Sequence, residues 1–415
     1  MSTKTKTTWR TVRLGDVARL SSLQVNPKTL GETMVDHFSI PAFDAGRVPV
    51  REKASNIQSN KFRVPADSVL VSKLNPTTPR VWTPEVEDGI EAVASTEFLV
   101  LEPQKVNREY LYYQLQGRSF GAQLAGQAGG TSTSHQRVRP AAVLDIEVSI
   151  PEDEKIQENI AGILSVFDEK IENNNRIIKT LEEMAQAIFK EWFVNLRFPG
   201  HEKTELVDSS FGRIPKGWGI KKINDIARLN RGVSYASSEI SSNEAGAPMI
   251  NLANFLRGGG FKTAGTKNYV GKFKPNNTVK PGQIVIAMTD ITPNREIVGH
   301  PARIPESLNG AIISLDVCSL ETDDTYVEFL YFLMLRKSFA QIMASSATGT
   351  NVSHLSKSNV EEHTFILPDQ PILEKFNTLV RPIVSQQNML SDENQKLAAM
   401  RDLLLPRLMS GEIRV

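Results

Sequence analysis

The sequence predicts an α+β fold: two similar globular domains separated by two long antiparallel coiled-coil helices and related by a pseudo-two-fold internal repeat. Three observations predict it. The chain is written twice in the same order, each copy changes from strand-like to heptad periodicity at an apolar-Pro step, and 415 residues exceed one ordinary core.

The repeat opens at Trp9, whose segment through Leu20 aligns without a gap to Trp218 through Leu229. VPADSVLVSKLNPTTP (64–79) then matches VKPGQIVIAMTDITP (279–293), and EYLYYQLQGRSFGAQL (109–124) matches EFLYFLMLRKSFAQIM (328–343). GGTSTSH (129–135) and TGTNVSH (348–354) follow in the same register. Each copy ends at Ile150-Pro151 or Leu367-Pro368. Within the copies, short apolar runs such as 69–71, 98–101 and 284–286 alternate with Gly, Pro and Asn turns, as strands do. One helix per copy is expected to end in the pairs Ser119-Phe120 and Ser338-Phe339.

After Pro151 the period becomes helical. Leu164, Phe167, Ile171, Asn174, Ile178, Leu181, Ala185, Ile188 and Trp192 recur at spacings of three and four, a seam with Asn174 as its polar member. Acids at 152–154 sit where the helix dipole is positive, and Arg197, Pro199 and Gly200 mark the stop. Such a helix is a rod of roughly 60 Å. A second seam runs through Phe376, Val380, Ile383, Gln387, Leu390, Asn394, Leu397, Arg401, Leu404 and Leu408, with Pro382 expected to kink it. Neither helix can bury its stripe alone in water, so the two are expected to pack on each other, with Asn174 facing Gln387 or Asn394 or lying at the seam's solvent edge. The resulting boundaries are 1–150, 151–198 (central helix), 199–215 (linker), 216–367 and 368–415 (C-terminal helix).

Composition narrows the function classes. With 40% apolar residues, 26 Gly and 22 Pro, the chain is neither disordered nor collagen-like. A lone cysteine, Cys318, cannot build a disulfide framework or thiolate cage and suits a reducing compartment. No apolar run suggests a signal peptide or membrane span, so a cytoplasmic protein is expected. The net charge of +1 hides an uneven distribution: residues 1–150 and 201–367 are at +3 and +2, while residues 151–200 are at −4. If DNA is the ligand, partners must supply part of the phosphate neutralisation.

In this duplicated order, the Trp9 and Trp218 openings, the Pro-led strands at 65–71 and 281–286 and the Gly-Thr/Ser turns at 129–135 and 348–354 resemble type I restriction-modification specificity subunits. The helix endings LEEMAQAIFKEWF (181–193) and KLAAMRDLLLPRLMSGEI (396–413) belong to the same set. The resemblance covers nearly the whole chain. It implies two target recognition domains that read a bipartite double-stranded DNA site, with the helices as a ruler between half-sites. It also implies assembly with two modification subunits, which methylate adenine with S-adenosylmethionine, and with restriction subunits that use ATP and Mg2+. No cofactor or metal is expected in this chain itself.

Candidate DNA-facing residues come from three places. The acid-free stretch 245–289 holds Arg257, Lys262, Lys267, Lys272, Lys274 and Lys280, interleaved with Phe255, Phe261, Tyr269 and Phe273; Arg47, Arg51 and Lys61 form a looser counterpart in the first domain. Arg231 joins this set. The alternative is a solvated sheet edge over core aromatics. The Gly-Thr-Ser turns contribute Thr131, Ser132, Thr133, Gln136 and Arg137, and Thr350, Asn351 and Ser353, whose amides, hydroxyls and amide side chains suit phosphates and base edges; turns capped by their own hydroxyls are the alternative. The loops after the paired strands contribute Lys73, Asn75, Thr77 and Arg80, and Thr292, Asn294 and Arg295. Their divergence fits two different half-sites and also neutral drift.

Catalytic patterns are missing from the sequence. Gly258-Gly259-Gly260 lacks phosphate-loop spacing, Asn75-Pro76-Thr77-Thr78 lacks the second proline and the aromatic of a base-flipping methyltransferase motif, and Asp168-Glu169-Lys170 lies on the helical rod. The six histidines show no metal-ligand spacing. The reading is therefore a non-catalytic DNA reader, with a scaffold of two modules bearing a non-DNA ligand as the alternative. Phe189, Trp192, Phe193, Leu405 and Leu408 exceed what a two-helix seam buries and are the expected docking surface for modification subunits, or else caps on the domain cores.

Overall fold

A computed structural model describes residues 8–77, 79–129, 136–241, 245–292, 294–349 and 352–415. The chain divides into two compact units, residues 1–171 with 396–415, and residues 172–395.

In the first unit the two ends of the repeat meet: Trp9–Arg13 pairs antiparallel with Glu147–Pro151, Trp9 opposite Pro151. The core sheet has four antiparallel strands in the order Ala18–Leu20, Phe98–Pro103, Val69–Ser72, Val81–Trp82. Every side chain of Val69–Ser72 is buried, which explains why this run is continuous rather than alternating. A second, mixed sheet orders Gln24–Val25, Lys61–Arg63, Glu91–Ala94, Met34–Phe38 and Val50–Lys53. Helices Arg108–Gln116 and Arg118–Gly126 follow the core sheet.

The second unit repeats the framework. Gly219–Lys222 pairs with Thr364–Leu367, and the core sheet runs Ala227–Arg231, Val317–Thr322, Ile284–Ala287, Pro301–Arg303. Its second sheet departs from the first unit's, with four strands ordered Ile240–Ser241, Lys267–Tyr269, Ala247–Ile250, Ile312–Ile313. Cys318 is buried in the core sheet, and burial pushes its thiol up to about 11.

The helical region of each copy corrects one expectation. It is two helices rather than one, because Gly117 and Arg336 adopt extended backbone at matching positions, and the Ser-Phe pairs open the second helix (Arg118–Gly126 and Lys337–Ser346) instead of ending the first.

The central helix spans Glu154–Phe189 and ends in a π-helical turn, Lys190–Val194. Asp153 caps its start, its carboxylate accepting from the Lys155 amide at 3.0 Å. The C-terminal helix spans Gln370–Met409 and continues through Pro382, where proline removes one rung of the ladder. Within the second unit the two helices run antiparallel. Asn174, fully buried, donates to Asn394 Oδ1 at 2.9 Å and Glu393 Oε2 at 2.8 Å, while Gln387 donates to the Ile178 carbonyl and Glu182. Asn394 thus takes the partner role, and Gln387 pairs about two turns away along its own helix. Within the first unit Arg401 pairs with Asp168, which also accepts from the Tyr113 hydroxyl at 2.8 Å. Asp168 is therefore a structural member of the helix pair. Among the described residues no helix is long and apolar enough to cross a membrane, and no group of three or more His, Cys, Asp or Glu could hold a metal.

Candidate nucleic-acid interface

In the first unit, folding brings two of the candidate loops together. The Asn75 amide donates to the Gln136 carbonyl at 2.9 Å, Leu74 bridges to Arg137, and the Val138 amide donates to the Lys73 carbonyl at 3.0 Å. Lys73 and Asn75 therefore share one edge with Gln136 and Arg137, and Thr77 is exposed. Asn75 holds φ at 51°, a left-handed conformation that asparagine tolerates better than most residues. Arg137 points a two-pronged pair at Glu97, 2.9 and 3.2 Å. Thr131, Ser132 and Thr133 lie outside the described residues.

The second unit builds the same junction differently. Thr289–Asp290 pairs with Ser353–His354, so the loop carrying Thr292, Asn294 and Arg295 abuts the second Gly-Thr turn. Asp290 organises that loop: its buried carboxylate accepts from the amides of Thr292 (2.6 Å), Ile297 (2.6 Å) and Val298 (2.9 Å). Burial alone would raise its pKa, but these donors outweigh burial and hold it below the usual carboxylate value. Arg295, at φ 54°, donates to the carbonyls of Ala344 (2.6 Å) and Gly349, tying the loop to the end of a helix. Thr292 accepts from the Glu296 amide, and Asn294 is exposed. Thr350 and Asn351 lie outside the described residues.

Several candidates have partners within the fold; burial of Lys61, Ser353 and most of Arg80 corrects the expectation that they face solvent, whereas Arg47 and Arg51 stay exposed. Lys61 is buried, its ammonium donating to the Ser59 carbonyl and hydroxyl, and burial lowers its pKa. Ser353 is buried in its strand pair. Arg51 forks onto Asp36 (2.9 and 2.9 Å) and reaches Glu87 at 3.0 Å, partners that raise its pKa. Arg80, largely buried, forks onto Asp44. Lys267 donates to the Tyr235 hydroxyl at 3.2 Å and lies over its ring. Arg47 donates to the Tyr112 hydroxyl and stacks on Phe43.

The remaining cations are concentrated in the second unit. Arg231, Lys262, Lys272, Lys274 and Lys280 are exposed and make no ion pair among the described residues, and Arg257 meets only Glu296, at 3.3 Å. Of the interleaved aromatics, Phe255 and Tyr269 are core residues and Phe273 is half exposed. Gly258, Gly259 and Gly260 all have positive φ, as a turn requires.

The expected docking residues are placed in the cores. Phe189, Trp192 and Phe193 are buried against Phe329, Phe376 and Trp218 in the second unit, with Phe193 to Phe376 ring centroids 4.9 Å apart. Leu408 is buried and Leu405 packed against the first unit's core. These residues cap domain cores, so the outward apolar face expected of them is corrected. Sequence reasoning also missed the carboxylates that neutralise the arginines. Asp36, Asp44 and Glu97 lie 15, 36 and 40 residues from their partners, beyond any local pattern.

A family model described as type I restriction modification DNA specificity domain matches residues 6–183 and 215–389. The MjaIX specificity subunit of a type I restriction enzyme from Methanocaldococcus jannaschii is 27% identical over 76% of this chain and 71% of its own length. The HindI specificity subunit from Haemophilus influenzae is 24% identical over 85% of this chain and 88% of its own. The crystal structure of a type I restriction-modification S subunit from M. genitalium shares the fold at a TM-score of 0.55, with 16% identity and 98% of each chain covered.

Proposed function

Because the chain belongs to the type I restriction-modification DNA specificity family, we propose that it reads a bipartite double-stranded DNA site on behalf of catalytic partner subunits. Each unit takes one half-site, and the chain itself performs no bond chemistry. The partners are two modification subunits that methylate adenine with S-adenosylmethionine, and restriction subunits that use ATP and Mg2+. The complex works in the cytoplasm, where the DNA is.

One observation carries this reading. The two units keep a common framework and differ where a ligand would be read. The core sheet and the helix pair recur strand for strand, whereas the second sheet has five strands in one unit and four in the other. The loop junctions differ as well, Asn75 against Gln136 in one unit and Asp290 opposite Ser353 in the other. A scaffold for one repeated ligand would need no such divergence, but a reader of two unlike half-sites does. The small positive balance of residues 1–150, +3, fits a protein that shares phosphate neutralisation with its partners.

The test is selection from random duplex DNA by the full chain together with its modification subunit. Two unlike short motifs at a constant interval are expected. Enrichment of a single motif, or of none, would overturn the proposal in favour of a scaffold.

A further inference from the structure

The strand Lys267–Tyr269 of the second unit leads into a turn, Val270-Gly271-Lys272-Phe273-Lys274, that presents apolar and cationic groups together. The Phe273 ring is 47% exposed and Val270 is 54% exposed, in a unit whose other aromatics are mostly buried. Lys272 and Lys274 flank the ring and make no ion pair among the described residues. About half of the Phe273 side chain is left in water beside two unpaired ammonium groups, where the folded chain makes no use of it.

The turn is nonetheless held firmly. The buried Tyr269 hydroxyl donates to the Lys272 carbonyl at 3.1 Å, and the Val270 amide donates to the Glu239 carbonyl at 3.0 Å. The Lys274 amide donates to Asn277 Oδ1 at 2.9 Å, while Asn277 Nδ2 donates to the Arg231 carbonyl at 3.0 Å, tying the turn to the strand end that carries the exposed Arg231. Gly271 leaves no room for a side chain, since a Cβ there would fall on the Tyr269 hydroxyl and the Glu239 carboxylate. That carboxylate is occupied by the Ala236 amide at 2.8 Å. The ring is therefore presented on a preorganised support, with its ordering cost met by folding.

We infer that Phe273 is a DNA wedge: its ring enters the base stack of the half-site read by this unit, while Lys272, Lys274 and Arg231 hold the flanking phosphates. The inference rests on the DNA reading proposed above. An apolar side chain that parts a base step kinks the duplex, and the ease of parting depends on the step, so the ring adds specificity without hydrogen-bonding a base. A flexible pyrimidine–purine step is the expected target.

The test uses the full chain with its modification subunit and duplexes carrying the selected sequence, with 2-aminopurine placed in turn along each half-site. A rise in fluorescence on binding is expected at one step of one half-site. Phe273→Ala should abolish the rise and weaken binding about tenfold or more, as loss of one aromatic–base contact does, without changing the salt dependence. Phe273→Leu should retain part of both. Lys272→Gln and Lys274→Gln should each lower the slope of log affinity against log salt by about one, leaving the fluorescence in place. Phe273→Ala that folds like the parent by thermal melting, yet binds with unchanged affinity and fluorescence, would overturn the wedge and leave the DNA reading intact. Failure of the unsubstituted chain to select any sequence would remove the DNA reading itself.

Discussion

Asp290 and the paired arginines show how single residues divide between support and recognition. The Asp290 carboxylate satisfies three buried or partly buried amides, so Asp290→Ala leaves donors unpaired at about 1–3 kcal/mol for such a group. A clear fall in Tm is expected at neutral pH. Because its folded pKa lies below the ordinary value of 3.8, the stabilisation is complete well above that pH and is lost as pH falls through the folded pKa. The Tm gap between Asp290→Ala and the parent should therefore be widest near pH 7 and narrow in strong acid; a constant gap would contradict the assignment. Arg51 supports structure in the same way. Its guanidinium is taken by Asp36 and Glu87, so Arg51→Gln should leave the salt dependence of DNA binding unaltered, in contrast to Lys272→Gln. A slope that drops by one in Arg51→Gln would mean that the arginine leaves its carboxylates for phosphate. Both roles were invisible in the sequence, where nothing marks the amides that Asp290 would accept and Arg51 reads as one cation of a basic run.

At the scale of elements, the end of the central helix belongs to the second unit's core. Phe193 is buried among Phe189, Phe329, Phe376 and Trp218, so Phe193→Ala should cost about 3–5 kcal/mol, the range for deleting a core aromatic. The expected readout is a large loss of Tm in the isolated chain; an unchanged Tm with lost capture of the modification subunit would restore the docking role. Gly232 is a second such point, where the end of a core-sheet strand passes against the backbone of 313–314. A Cβ there would fall on the carbonyl oxygens of Ile313 and Ser314, and Val233 donates to the Ile313 carbonyl at 2.9 Å. Gly232→Ala should therefore destabilise this unit strongly, through backbone that cannot yield. The strands, the helix seams and the Asp153 start were all legible, because they are set by local periodicity and capping chemistry. The break was legible in only one copy: Gly117 follows an apolar run as a helix-stopping glycine does, whereas Arg336 in the matching place carries no stop signal.

For the whole molecule, the prediction concerns the central helix as a spacer between half-sites. Four added residues lengthen a helix by about 6 Å and rotate its C-terminal part by roughly 40° about the axis. Inserted after Ile171, they should change the interval between the selected motifs or abolish selection. An unchanged interval would remove the spacing role. The duplication, the class of fold and the order of its parts were determined by the sequence alone, because repeats and periodicities are properties of neighbouring residues. Which cations remain free, which aromatics close a core and which loops share an edge were decided only by the tertiary structure. Ion pairs such as Arg80 with Asp44, and contacts such as Asn75 with Gln136, join residues far apart in the chain, and no local pattern records which distant partner the fold will bring to hand.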